Sequence, residues 1–329
     1  MKTLHSLGRR SILACAAALG CALAAPALAQ DSYPSKPIKM LVGYPAGSGI
    51  DAAARHLARQ IAAQSGQPVV VDNRPGALGN LAASAVAQAA GDPYTILFTP
   101  NSTHAANTHL FKKLPFDPVG DFTPVTSVAT LGFVLVTNPK TMPEKTVGEL
   151  LASIRKDPTR YKFGSGNATG LVAGSMFKKM ADVDILSVPY KGVPPAISDL
   201  MGGHIQMVFA DATLAIPQAK GGNVRALAVS GRTRMAALPD VPTMAEAGLP
   251  GYDLTAWFAV FMPARVPQAA VDKLGGYIRA ASRDPQYVEY MRGIGAEPET
   301  STPAQLLERV KTDTQAWGKL VEMAGITPQ

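Results

Sequence analysis

Two charge-poor loops carry the residue types best suited to holding an anion. They are Tyr44-Pro45-Ala46-Gly47-Ser48-Gly49-Ile50-Asp51 and Gly164-Ser165-Gly166-Asn167-Ala168-Thr169-Gly170. Each follows an apolar, strand-like run (38–43, then 161–163) and precedes an Ala-rich or Leu/Val/Ala stretch that reads as a helix. A Gly/Ser loop opening a helix leaves unpaired N–H groups at the positive end of the helix dipole, so an anion can bind there without Lys or Arg. In the first loop the donors are Ser48 and the amides of Gly47, Gly49 and Ile50, with Tyr44 at the loop's start. Asp51 is expected to hold that loop as an N-cap or first-turn carboxylate, since it would repel an anionic ligand. In the second loop Ser165, Asn167 and Thr169 supply neutral donors beside the amides of Gly166 and Ala168. Its G-x-G-x-x-x-G spacing is one residue too long for a dinucleotide fingerprint, and no acidic residue follows where a ribose contact needs one.

Other polar residues are candidates for the same cleft. Thr99-Pro100-Asn101-Ser102-Thr103-His104 follows an apolar run at 95–99. Asn101 and Ser102 are expected to face the cleft, Ser102 and Thr103 to cap the next helix, and His104 to lie on the surface. Tyr190 lines the cleft from a tight turn at 188–192, in which Lys191 points to solvent. Asp211 ends the apolar run 207–210. It either accepts from a ligand amine or hydroxyl or ties down its own loop. Trp257 and Phe258 sit in an apolar strand and read as core. No G-x-S-x-G elbow, G-x-x-x-x-G-K-[ST], H-E-x-x-H or paired-cysteine spacing occurs, and His56, His104, His109 and His204 lack metal-ligand spacing. Neither a metal, a cofactor nor a catalytic residue is therefore expected.

The elements that must position these loops alternate along the chain. Strand character appears at 38–42, 69–72, 95–99, 133–137, 161–163, 205–209, 226–230 and 256–262. Helical patterns fill 51–65, 79–90, 146–157, 170–181, 193–202 and 213–221, and three more close the chain at 267–283, 285–294 and 303–324. Such alternation predicts an α/β fold with parallel, buried sheet. Pro-rich stretches at 123–125 and 238–243 mark turns and crossings. Crossings near 130 and 250 would give one domain from 30–130 plus 250–329 and another from 131–249, with one anion loop on each. Ligands of open α/β sheets collect at the carboxyl ends of strands, where both loops would lie.

The first 29 residues read as an export signal. Lys2, Arg9 and Arg10 form a basic start, 11–25 is apolar, and Ala27-Leu28-Ala29 supplies a cleavage pattern, which places the mature protein in the periplasm. Both cysteines, Cys15 and Cys21, fall inside it, so the mature chain has no disulfide and no thiolate. The signal also holds three of the 31 basic side chains and none of the 24 acidic ones, which leaves the rest at +4. That charge is spread out, without the concentrated basic patch that nucleic-acid binding needs.

Several longer motifs carry a resemblance. Tyr33-Pro34-Ser35-Lys36-Pro37-Ile38, the first loop, Val71-Asp72-Asn73-Arg74-Pro75-Gly76-Ala77-Leu78-Gly79-Asn80, Lys113-Leu114-Pro115-Phe116-Asp117-Pro118, Val188-Pro189-Tyr190-Lys191-Gly192 and Leu238-Pro239-Asp240-Val241-Pro242-Thr243 occur in this order. Together they resemble the Bug-type solute receptors of tripartite tricarboxylate transporters from residue 33 to the C-terminus. The resemblance implies a two-domain type II periplasmic-binding-protein (Venus flytrap) fold that closes, as a monomer, on a small carboxylate held by main-chain amides and hydroxyls. It also implies delivery to a large and a small membrane subunit. The family's first loop commonly has three glycines then Thr-Asp, where this chain has Ser48 and Ile50; the second has Ala168, Gly170 and Leu171 where a further Gly, Ser or His is common. Fewer hydroxyls favour a mono- or dicarboxylate with an apolar or aromatic body over a citrate-like ligand. A carboxylate sensor feeding a signalling partner and a secreted hydrolase stay open as alternatives.

Overall fold

The computed structural model describes residues 33–329; the expected signal and its cleavage site lie outside the described residues. Ten strands form one strongly curved mixed sheet whose two halves share a single strand. In the first half β1 (Ile38–Val42) pairs in parallel with β2 (Val69–Asn73) and β3 (Thr95–Pro100). In the second half β5 (Lys162–Ser165) lies parallel between β6 (Leu186–Pro189) and β7 (Met207–Asp211). The shared strand is β4 (Phe122–Thr137). Its first part pairs antiparallel with β9 (Thr255–Pro263) and β10 (Ala296–Pro298), and its last five residues with β7 and with β8 (Arg225–Val229). The sheet is thus mixed rather than parallel throughout.

The length of β4 corrects the expectation that 123–125 marks a turn. Pro124 lies inside the strand, and the register with β9 shifts there and again between Ser127 and Ala129. The bulge after Pro124 leaves Val125 out of the ladder, an irregularity at which a strand tolerates the donor that proline lacks. Two further strands, β6 and β10, escaped the pattern because each is only three or four residues long. β7 also starts two residues later than expected, which puts Asp211 in the strand's last position.

Helices cover both faces of the sheet. They are α1 (Gly49–Ser65), α2 (Asn80–Ala87), α3 (Asn107–Leu110), α4 (Val147–Lys156), α5 (Ala168–Ala181), α6 (Val193–Met201) and α7 (Ala212–Lys220). The C-terminal set is α8 (Gln268–Ala281), α9 (Pro285–Gly293) and α10 (Pro303–Met323). The helix α1 buries Ile50, Ala53, Ala54, Leu57, Ala58 and Ile61, a three- and four-residue spacing that gives one apolar stripe toward β1 and β3. It stops at Gly66, whose φ of 71° is the left-handed conformation that glycine adopts without strain.

The chain passes between halves along β4 and returns between β8 and β9. Buried Ser230 ties the two passages together: its hydroxyl donates to Leu254 O (2.6 Å) and accepts from Phe133 N (2.8 Å). Both strands therefore bend as one unit at this point.

His104 is a second correction. It is fully buried, stacked on Phe261 with centroids 3.8 Å apart and edge-on to Phe122. Its Nδ1 meets Thr103 Oγ1 at 2.8 Å. Burial pushes its pKa down from 6.5 to about 3, so the ring is neutral in the folded protein. A histidine that protonates only in the unfolded chain contributes stability above pH 6.5 and loses it as pH falls toward 3, at up to about 1.4 kcal/mol per pH unit. Urea titrations should show that slope below pH 6.5, and His104→Phe, which keeps the ring stack, should flatten it.

Candidate functional site

The strand–loop–helix elements expected to bind an anion meet at one narrow cavity of about 20 Å³ between the halves of the sheet, so a ligand enters only as the halves part. From the first half come Tyr44, Ser48 and Ile50, with Pro100, the last residue of β3, and Ser102 just beyond it. From the second come Asn167 and Thr169 at the start of α5, Val193 at the start of α6, and Asp211. The floor is apolar: Leu131 and Phe133 from β4, Ala256 and Phe258 from β9. Among these lining residues there is no Lys, Arg or His.

Ser48 is the N-cap of α1, with extended backbone (φ −72°, ψ 159°). Its hydroxyl donates to Pro45 O at 2.7 Å, so its proton is already engaged. Free donors at this end are then the amides of Gly49 and Ile50, which as the first two helical positions have no acceptor within the helix. Asp51 stands in the first turn and closes the loop on itself, accepting from Gly47 N (2.9 Å), Arg55 Nε (3.0 Å) and Asn73 Nδ2 (2.9 Å). Burial by itself would raise the Asp51 pKa, but the bonds from Arg55, Gly47 and Asn73 outweigh it and hold the carboxyl below its ordinary value. Its charge is thus consumed by the loop, as expected, and not offered to the cavity.

The second loop is built the same way. Asn167 (φ −155°, ψ 169°) caps α5 by accepting from Gly170 N at 2.7 Å, which leaves the amides of Ala168 and Thr169 at the helix start. Glycine is required at 166 because a Cβ there would lie 2.2 Å from Gly192 C, packing this loop on the start of α6. Neither Ser102 nor Thr103 caps a helix; a wide helical turn, Ser102–Ala106, starts after Asn101 without a side-chain cap. The Ser102 hydroxyl is buried and lines the cavity beside Tyr44, and among the described residues neither it nor the two amide atoms of buried Asn101 meet the hydrogen-bond geometry with a partner. Burial pushes the Tyr44 phenol up to about 12, with the nearby Ser102 hydroxyl lowering it and Asp211 raising it, so it is a neutral donor. Its hydroxyl rests on Leu78 O at 3.3 Å.

Of the expected site residues, Tyr44, Ser48, Ile50, Ser102, Asn167, Thr169 and Asp211 share the cavity wall. Gly47, Gly49, Asn101, Ser165, Gly166 and Ala168 lie behind it as the backbone that shapes the loops. Tyr190 is not on that wall: its phenol donates to Asp199 at 2.7 Å, and the residue lines an adjoining crevice that shares Tyr44 and Gly166 with the expected site. The stretch 188–192 is not one tight turn, since 186–189 forms β6. Lys191 is exposed. Trp257 is core, with Nε1 bonded to Asp313 at 2.5 Å, whereas Phe258 is buried yet faces the cavity. Leu131, Phe133, Ala256 and Val193 were not anticipated. Only Val193 had a signal, a Gly192–helix start like the other two loops.

Asp211 is the N-cap of α7: its Oδ1 accepts from Leu214 N at 3.2 Å and from the Thr213 hydroxyl. It is buried, and desolvation raises its pKa against the lowering effect of those bonds. The same residues form the contact between halves. A Cβ on Gly49 would lie 1.6 Å from Thr213 Oγ1 and 2.2 Å from Asp211 Oδ1, and one on Gly192 would lie 2.6 Å from Pro45 Cγ. The start of α1 therefore sits directly on the start of α7. Among the described residues no cluster of three His, Cys, Asp or Glu suits a metal, and no helix is long and apolar enough to cross a membrane.

Known proteins share this arrangement. The model for "Tripartite tricarboxylate transporter family receptor" matches residues 53–326. Protein BugT of Bordetella pertussis is 35% identical over 307 residues, covering 92% of this chain and 93% of its own. The periplasmic binding protein BugD superposes with a TM-score of 0.86 at 30% identity, covering 90% of this chain and 100% of its own. A Rhodopseudomonas palustris protein solved with adipate gives 0.88 at 33% identity, with the same coverage. The R. palustris protein MatC, solved with malate, gives 0.83 at 28%, covering 88% and 100%. BugD is a periplasmic binding protein, so the two-domain periplasmic-binding-protein fold expected for this chain is the one it adopts. With the family model spanning most of the chain, this protein belongs to the tripartite tricarboxylate transporter receptor family.

Proposed function

We propose that this protein captures a small organic carboxylate in the periplasm, between the two halves of its sheet, and delivers it to the membrane subunits of a tripartite transporter. The observation that carries this reading is a buried cavity without a cation, onto which the amide-bearing starts of α1 and α5 converge from opposite halves. An anion there is held by helix termini, hydroxyls and the Tyr44 phenol. Charge-assisted bonds of this kind contribute about 1.5–3 kcal/mol each, and a handful, less the cost of closure, gives affinity near micromolar. The absence of a full positive charge among the lining residues also keeps release within reach. The apolar floor of Leu131, Phe133, Ala256 and Phe258 favours a mono- or dicarboxylate with a hydrocarbon body over a tricarboxylate. Adipate and malate, in the two R. palustris neighbours, are both dicarboxylates.

Closure of the halves on ligand would present one continuous surface to the transporter, and delivery follows from recognition of that state. The direct test is a thermal-shift and calorimetric screen of the mature chain. The panel should comprise acetate to octanoate, succinate to suberate, malate, citrate and benzoate. Because ligand stabilises the form that binds it, at least one mono- or dicarboxylate should raise Tm in a concentration-dependent way, and citrate should do so least. No shift from any carboxylate would contradict the proposal.

A further inference from the structure

Asp211 poses a problem for any anion that enters the cavity. Its carboxyl is buried in the wall, Oδ1 is held by Thr213 and Leu214, and no hydrogen bond reaches Oδ2 among the described residues. Around it stand Gly49 at the start of α1, Tyr44 from the same loop, and Phe133, its register partner on β4. Tyr44 is the only other titratable group on the wall, and it is already protonated. Asp51, two residues from Gly49, is committed to Arg55, Asn73 and Gly47. No cation faces Asp211 from β4, β9, α1, α5 or α6 on the cavity side. A carboxylate ligand would thus share an enclosed space with a carboxylate that no cation faces, and two such groups in one enclosure retain a proton between them.

We propose that Asp211 takes up a proton when a carboxylate enters and then donates a hydrogen bond to it, so that capture is proton-linked. This deepens, and rests on, the carboxylate reading of the site. The proton comes from solvent and ends on Oδ2, the atom left free by Thr213 and Leu214, while the ligand stays ionised. One negative charge and one proton enter together, which leaves the cavity with a single charge facing the helix starts. The burial that raises the Asp211 pKa lowers the cost of holding that proton.

The test is calorimetry with the tightest-binding member of the carboxylate panel, in buffers of different ionisation enthalpy, at pH values from 6 to 9. The wild type should take up close to one proton per ligand within that range, with affinity falling about tenfold per pH unit above the Asp211 pKa of the free protein. Asp211→Asn keeps a capping side chain and a donor but cannot titrate. It should bind with no uptake and with affinity independent of pH. Should that variant fail to fold, Asp211→Ser, which also caps a helix and cannot titrate in this range, should likewise bind with no uptake. Uptake below about 0.2 proton at every pH in the wild type, or uptake that persists in Asp211→Asn, would overturn the proposal; the linkage sets both limits. Failure of every carboxylate to bind would instead overturn the reading of the site on which it rests.

Discussion

Gly49→Ala is expected to weaken carboxylate binding by about 100-fold while moving Tm by no more than a few degrees, because its effect falls on closure and not on folding. A Cβ at this position would overlap the Thr213 hydroxyl at 1.6 Å and Asp211 Oδ1 at 2.2 Å, and both belong to the opposite half of the sheet. The Gly49 backbone is helical with no positive φ, so the isolated start of α1 accepts alanine and gains helix propensity from it. The clash is relieved only by parting the halves. If parting costs about 3 kcal/mol, the binding-competent fraction and the apparent affinity drop together by about 100-fold. Calorimetry and thermal unfolding of the variant separate the two effects. Wild-type affinity in Gly49→Ala would mean that contact between α1 and α7 is not part of the bound state.

Ser48→Asp is the second large effect, and it acts through charge. Aspartate caps helices as well as serine does, so α1 and the stability of the fold should be preserved. A carboxylate at the start of α1 would occupy the field that the amides of Gly49 and Ile50 offer to an anion. Two like charges about 4 Å apart repel by about 4 kcal/mol at an effective dielectric of 20, enough for a loss of at least about 100-fold. Ser48→Asn caps equally well without charge, so its affinity should stay within about tenfold of wild type. Equal losses in the two variants would locate the anion elsewhere.

How much of this was legible in the chain differs by residue. The polar half of the candidate site follows local rules: Ser48 and Asn167 each precede a helix, and capping chemistry depends only on neighbours three residues away. The apolar half does not. Leu131, Phe133, Ala256 and Phe258 lie in buried strands, and a strand residue facing a cavity has the same pattern as one facing core. Only the crossing along β4 and the pairing of β9 with its first part decide which they are. His104 was misplaced for a related reason, since its stacking partner Phe261 is distant in sequence and brought in by β9. Pro124 was taken as a break because the bulge that accommodates it depends on the register of β9, which no local pattern records. The contact of Gly49 with Thr213 was equally invisible, although the glycine itself stood out.

The most direct measurement is a crystal structure of the mature protein with the tightest-binding carboxylate of the panel. The account predicts the ligand's carboxylate within hydrogen-bond distance of Asp211 and of the amides at the start of α1 or α5, and its body on Leu131, Phe133 and Phe258. A carboxylate bound instead in the open groove lined by Arg232, Arg234 and Arg292 would contradict it.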